Sequence, residues 1–248
     1  MKLYLDRHTY IETDEPIDLS IAITDDQKGP RAWYLEHPQM LPVMDNGFIG
    51  SVALGGVVNF RNINFNPHGH GTHTESHGHI TEAILPVSKC FTGYFFHAAL
   101  ITLTPELKNG DWIITKESMQ MALPKGDYQA LVIRTLPNEA SKQSACYSNT
   151  NPAYLSTDIM ELLTKQGILH LLIDLPSVDK EQDGGALAFH HAFWNVPDKP
   201  QTNKTITELI YVPNEASDGL YLLELQLSNF TNDAAPSRPL LYKKRKEA

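Results

Sequence analysis

The sequence predicts an α/β protein with a partly parallel sheet in its C-terminal half. Residues 130–135 (Ala-Leu-Val-Ile-Arg-Thr) and 168–173 (Ile-Leu-His-Leu-Leu-Ile) are apolar runs of strand length, the mark of strands buried on both faces. Between them Ile159, Leu162 and Leu163 recur at helical spacing. Asp158, with Glu161 three residues on, is the expected N-cap of that helix, and Gly167 stops it. Strand, helix and strand in this order make a βαβ unit. At 248 residues, 42% of them hydrophobic, the chain can fill the core of one large domain, and a single domain over residues 1–248 is the simplest expectation.

The remaining elements follow along the chain. Residues 2–12 and 17–24 alternate apolar with polar side chains on either side of Thr13-Asp14-Glu15-Pro16, which predicts an antiparallel pair of strands. An irregular stretch, 25–45, contains Trp33, which on residue type alone is a large apolar side chain packing a loop onto the core. Residues 48–65, rich in Val, Phe and Ile, read as strands, as do 81–87 and 97–103. Gly110-Asp111 reads as a turn and 116–122 as a short helix. Residues 149–156 read as loop, and 174–185 as a loop in which Asp174 and Asp179 suit turns before they suit ligands. Residues 204–210 alternate like a strand, so Glu208 on that pattern alone is an ordinary solvent-facing residue. Residues 221–227 and 240–242 would complete the sheet.

Composition excludes several functions. A net charge of −9 offers no basic stripe for phosphates, so nucleic acid is not an expected partner, and Lys243-Lys244-Arg245-Lys246 reads as a solvated end. Cys90 and Cys146 are too few for a disulfide framework and form no Cys-x-x-Cys motif, so both are expected to be thiols. The first residues alternate and carry charge where a signal peptide needs an apolar run, and no stretch approaches a membrane span. A cytoplasmic protein with no membrane partner is expected.

Function concentrates in residues 66–80, Asn-Pro-His-Gly-His-Gly-Thr-His-Thr-Glu-Ser-His-Gly-His-Ile. Five of the eleven histidines, His68, His70, His73, His77 and His79, lie there with Glu75. Imidazole nitrogens and a carboxylate together suit Zn²⁺, Mn²⁺ or Fe²⁺, and Gly69, Gly71 and Gly78 let a backbone turn tightly around an ion. If the segment is extended, as Thr72 and Thr74 suggest, His73 and Glu75 share a face, and His68 joins them from the glycine turn. The helical His-Glu-x-x-His pattern is absent. Adventitious metal binding by a His-rich loop is the plainer alternative. Not all five need be ligands, and His70 and His77 suit supporting or merely polar roles.

The segment His68…Gly71-Thr72-His73-Thr74-Glu75…His79 resembles the signature His-x-Gly-Thr-His-x-Asp-x-Pro-x-His of the cyclase-type metal-dependent hydrolases, the family of bacterial kynurenine formamidase (arylformamidase) and isatin hydrolase. Ile173-Asp174-Leu175-Pro176-Ser177-Val178-Asp179, His190-His191-Ala192-Phe193 and Glu208-Leu209 follow in the family's order and extend the resemblance over most of the chain. Glu75 stands where the family usually has Asp, His77 replaces the usual Pro, and one additional residue separates His68 from Gly71.

The resemblance implies a swivelling β/β/α fold, a mixed sheet with flanking helices. It also implies one or two divalent ions, Zn²⁺ first and Mn²⁺ second, held by His68, His73, Glu75, His190 and Glu208, with His191 a substitute for His190. His79 matches the family's catalytic His, and Trp33 is the candidate for the aromatic residue placed against the substrate ring. The implied substrate is a small aryl formamide or cyclic amide whose C–N bond is cleaved by a metal-activated water, and a homodimer is the implied assembly. Two other classes remain open at this point: a metal-binding protein without catalysis, which would not depend on His79, and a metal-independent binding protein.

Overall fold

The structure is a computed structural model and describes residues 1–247. Eight strands form the main sheet: β1 (Ile17–Asp18), β2 (His73–Glu75), β3 (Phe95–Leu103), β4 (Ala130–Thr135), β5 (His170–Ile173), β6 (Thr205–Glu208), β7 (Gly219–Leu227) and β8 (Ala234–Lys243). Their order is β7-β3-β4-β5-β6-β2-β8-β1, and β7 also pairs with β8, so seven strands close into a barrel with β1 added outside the ring. The run from β3 to β6 is parallel, and every other pairing is antiparallel. The mixed sheet and the βαβ unit of the sequence are therefore present. Closure into a barrel removes the open edges that a sheet must otherwise protect.

Alternation along the strands divides the core into two. Leu100, Val132, Leu172, Leu223 and Leu241 meet inside the barrel, while Ile101, Ile133, Leu171 and Ile206 point outward. Three helices cover the outward side chains: α1 (Lys116–Ala122), α2 (Met160–Gln166) and α3 (Ala188–Trp194). Met119, Leu163, Phe189, Phe193 and Trp194 are the fully buried side chains that these helices contribute. Thr115 caps α1 through its hydroxyl, and Gly167 ends α2 in the left-handed region at φ 76°.

Several local expectations fail for identifiable reasons. Residues 2–12 form a hairpin within themselves, Lys2–Tyr4 on Thr9–Glu12, while Ile17–Asp18 pairs with β8 instead. Beyond Asp18 the segment is irregular, with Ile21 tied by its backbone to the Thr72 hydroxyl. Residues 81–87 are not a strand: the Ser76 hydroxyl donates to the Leu85 carbonyl and folds the segment back on the histidine turn. Asp158 is not an N-cap, because a 3-10 turn, Thr157–Ile159, leads directly into α2. The basic tail is not free, since Arg245–Lys246 adds a third strand to the N-terminal hairpin. Cys90 is buried, Cys146 exposed, and both are thiols. No helix of the described residues is long and apolar enough to cross a membrane.

His170 sits inside the barrel, its ring against Phe91 (5.3 Å, 6° between planes) and Phe96 (4.1 Å), with Nδ1 2.8 Å from the Thr205 hydroxyl. Burial lowers its pKa from 6.5 to about 4. Between those values the unfolded chain binds the extra proton and the folded chain does not. Stability is therefore unaffected above the window and falls as pH drops through it, by up to about 3 kcal/mol. Urea unfolding at pH 7, 5.5 and 4.5 (roughly spanning the titration) should show a smaller acid loss in His170→Gln than in the parent. Equal losses in the two proteins would contradict this.

Candidate metal centre

The centre forms on the outer surface of the barrel, where β2, β6 and α3 meet. On β2, His73 and Glu75 project outward while Thr74 points inward to Thr207 and Ser237, each 2.8 Å away. On β6, Glu208 lies directly across from His73 in the ladder. His190 comes from α3, a seven-residue helix packed over this face. His68 arrives from the loop before β2. Gly71 in that loop has φ +96°, and a Cβ there would lie 2.8 Å from the Ile21 carbonyl, so the turn requires glycine.

These side chains converge. His68 Nδ1 is 3.0 Å from Glu75 Oε2, His190 Nε2 is 3.1 Å from Glu75 Oε1, and His73 Nε2 is 3.5 Å from Glu208 Oε2. His190 Nε2 is also 3.9 Å from Glu208 Oε1. Donors bound tetrahedrally to one ion at zinc–ligand lengths lie about 3.3 Å apart, so these separations suit shared coordination.

The hydrogen bonds behind the cluster fix which nitrogen faces it. His190 Nδ1 is 2.6 Å from Asp179, His73 Nδ1 is 3.1 Å from the Gly71 carbonyl, and His68 Nε2 is 2.8 Å from Asp233. Each acceptor holds a proton on the rear nitrogen and turns the other lone pair inward, the usual outer support of a metal-binding histidine. His73 Nε2 and Glu75 Oε2 are buried without any hydrogen-bond partner. Buried polar atoms are seldom left so, and here a divalent cation fits the donor set.

Charge compensation tells the same story. Burial opposes protonation of His68 and His190, yet the facing carboxylates, Asp233 and Glu75 beside the first and Asp179 and Glu75 beside the second, raise both to about 10. Burial opposes ionisation of Glu75, but the surrounding histidines hold its carboxyl well below the usual range. The same histidines keep Asp233 ionised against its own partial burial. A carboxylate core this strongly attractive to protons attracts a divalent cation for the same reason, and the two compete.

The other residues singled out in the sequence fall as follows. His79 sits in the 3-10 turn His77–Ile80 after β2, its ring stacked on His68 at 4.2 Å and its Nδ1 3.5 Å from Asp233. Its side chain is 32% exposed, so it reaches both the cluster and solvent. His191 points away, to the Val196 carbonyl, leaving His190 as the member of the pair in the cluster. His70 is held at both nitrogens, by the Asn66 amide and the Glu36 carbonyl, and serves the loop. His77 Nε2 is buried without a hydrogen-bond partner, and nothing in the structure explains it. Trp33, at φ 59°, donates its indole N–H to the His68 carbonyl at 3.2 Å and walls a narrow apolar crevice with Tyr147, Pro152 and Pro176.

Asp179 also accepts from the backbone amides of Phe189 and His190, capping α3, while Asp174 accepts from Thr135 and Lys142. Donor atoms of His68, His73 and Glu75, of Glu75, His79 and His190, and of His68, His79 and Asp233 each lie within 4.8 Å of one another, and neither Asp174 nor Asp179 belongs to these sets. Asp233 is the residue that sequence reasoning missed. Its backbone carbonyl accepts from Ser76 and the neighbouring Asn232 carbonyl from Val87, so the loop before β8 is stitched to the histidine turn. No spacing in the sequence joins Asp233 to a motif more than 150 residues away.

A family model described as putative cyclase matches residues 17–180. The chain belongs to the putative cyclase family. A search of curated proteins finds no match. Among solved structures, one described as a novel cyclase aligns with a TM-score of 0.66 at 16% identity, covering 94% of this chain and 90% of the other. A predicted metal-dependent hydrolase from Bacillus stearothermophilus aligns at 0.59 and 16% identity over 92% and 98%. An isatin hydrolase bound to the product analogue thioisatinate aligns at 0.61 and 13% over 93% of each chain. At such identities these likenesses establish the shared cyclase-family fold.

Proposed function

We propose that the protein is a metal-dependent hydrolase that cleaves the C–N bond of a small aryl formamide or cyclic amide. The observation that carries this reading is the convergence of His68, His73, Glu75, His190 and Glu208, with His73 Nε2 and Glu75 Oε2 buried and unpaired. The mixed nitrogen and oxygen donors suit Zn²⁺ first and Mn²⁺ second, one or two ions. A divalent ion held there supplies Lewis acidity, polarising a carbonyl and acidifying water.

The chain's own groups supply the rest. Water adds its oxygen to the carbonyl carbon and one proton to the departing nitrogen as the C–N bond breaks. His79, beside the cluster and partly exposed, takes the proton from water and returns it to that nitrogen. Asp233 next to His79 Nδ1 favours a proton there and leaves Nε2 as the basic nitrogen. No Ser or Cys nucleophile is required. Trp33, whose indole N–H reaches the His68 carbonyl, is the candidate aromatic side chain beside an aryl ring. The isatin hydrolase likeness, whose named substrate is a cyclic amide fused to an aryl ring, supports the same substrate class.

The test is hydrolysis of a panel of N-formyl arylamines and aryl-fused cyclic amides by the purified protein. Turnover of at least one member, abolished by chelation and restored by Zn²⁺ or Mn²⁺, is expected. Turnover that survives full metal removal, or none on any member by metal-replete protein, would overturn the proposal.

A further inference from the structure

A second cavity, of about 730 Å3, opens away from the candidate ligands, at the carboxyl ends of three parallel strands. Its base is where those strands stop: Thr104 and Pro105 follow β3, Thr135 ends β4, and Leu175 lies just beyond β5. Loops that leave parallel strands at this end are where α/β sheets and barrels place small-molecule sites. One wall is Trp112, on the strand Asp111–Ile114 of a small separate sheet, and another comes from the segment 147–153.

The rim of this cavity is stiff. Pro105, Pro137 and Pro152 restrict the backbone around it, and the Leu136 amide donates to the Leu103 carbonyl at 2.9 Å. Leu136 and Trp112 are left 43% and 47% exposed at the mouth. The floor is polar but electrically closed. Lys142 Nζ donates to the Thr135 carbonyl (2.6 Å), the Thr135 hydroxyl (2.9 Å) and the buried Asp174 carboxylate (2.8 Å), which uses all three ammonium protons. Asp174 accepts in turn from the Thr135 amide and hydroxyl. Burial pushes the Tyr147 phenol up, so it too stays uncharged. The lining residues thus offer an occupant no unpaired charge, only ring faces, aliphatic carbon and the hydroxyls of Thr104, Tyr147 and Thr150.

The geometry points to a second small-molecule site in this cavity, whose occupant is an uncharged aromatic molecule. Size and charge set that class. The volume lies in the range that takes a drug-sized ligand, and the rings of Trp112 and Tyr147 suit contact with another ring. A carboxylate, sulfonate or phosphate would lose its hydration with no free cation to replace it, so the site disfavours anions. A cation would meet no free carboxylate, because Asp174 is already paired with Lys142. The site is separate from the metal centre, since none of the candidate ligands lines it. Tyr147 and Pro152 line both this cavity and the crevice beside Trp33, so the two spaces share a wall.

Titration of the full chain into the uncharged fluorophore N-phenylnaphthylamine tests this, with anilinonaphthalene sulfonate as the anionic counterpart on the same rings. Saturable binding of the uncharged probe is expected with a Kd of about 1–100 μM, and binding of the sulfonate at least about 10-fold weaker. Removing metal by chelation should leave the uncharged probe bound as before. Leu136→Asp, which puts a charge at the mouth, and Trp112→Ala, which removes a wall, should each weaken the uncharged probe at least about 10-fold. Both positions are partly exposed, so the variants should keep the parent's circular dichroism. Leu54→Asp, at an apolar side chain 61% exposed outside the cavity, should bind as the parent does. Absence of saturable binding, sulfonate binding as tight as that of the uncharged probe, or binding lost on chelation would overturn the inference. So would parent-like binding in the two cavity variants, or a loss in Leu54→Asp equal to theirs.

Discussion

His79→Ala is expected to lower kcat on an aryl formamide or cyclic amide by about 10²–10⁴-fold while the metal content stays at the parent's value. The separation of the two readouts follows from the geometry. His79 lies within reach of the same donors, but the shortest contacts run among His68, His73, Glu75, His190 and Glu208, and His79 stacks against one edge of that set and is the more exposed. Its partial exposure lets it exchange a proton with solvent, which a buried ligand cannot do. KM should change little, because the role proposed for the imidazole is on the proton rather than on the ring of the substrate. Asp233→Ala should move kcat in the same direction by a smaller factor. It should also weaken metal binding about 10–100-fold, because Asp233 also holds His68. A His79→Ala protein with full turnover would remove it from the reaction, and one with no metal would make it a ligand instead.

Glu75→Gln is expected to reduce metal affinity by at least about 100-fold and to abolish turnover. Glu75 is fully buried, and its two oxygens face different partners, Oε2 toward His68 and Oε1 toward His190. It joins the candidate ligand on the loop before β2, His68, to the one on α3, His190. The isosteric amide keeps the volume but loses the charge, and its NH₂ group points a donor at lone pairs that Asp179 and Asp233 have turned inward. Isothermal titration with Zn²⁺ checks the affinity, and circular dichroism checks that the fold persists. Parent-like affinity in Glu75→Gln would contradict the assignment of this carboxylate to the centre.

Much of this was readable before the fold was known, and the reason differs from residue to residue. The strands 130–135 and 170–173 announce themselves because strands buried on both faces are largely apolar, and Gly167 marks a helix end because a left-handed residue closes it there. The histidine cluster is local, so the period of an extended strand places His73 and Glu75 on one face without further information. Helix α3 is different. Its seven residues carry no capping side chain of their own, and the cap comes from Asp179 across a loop. Asp233 was equally hidden, since it reaches the centre only when β8 pairs with β2 and closes the barrel. Residues 81–87 mislead because their apolar side chains suit a strand, whereas the Ser76 hydroxyl spends the Leu85 carbonyl on a turn. Residues 48–65 mislead in the same way: their apolar side chains read as strands, yet only Phe48–Ile49 and Arg61–Asn64 are, and both lie outside the main sheet.

The central claim is that two motifs about 130 residues apart in the chain, the histidine segment on β2 and Glu208 on β6, form one metal site. Elemental mass spectrometry of the purified protein beside His73→Ala and Glu208→Ala tests it most directly. About one or two equivalents of Zn or Mn in the parent, lost in both variants, is the predicted result. A parent that holds no metal even after reconstitution, or a Glu208→Ala protein that keeps the parent's full complement, would contradict it.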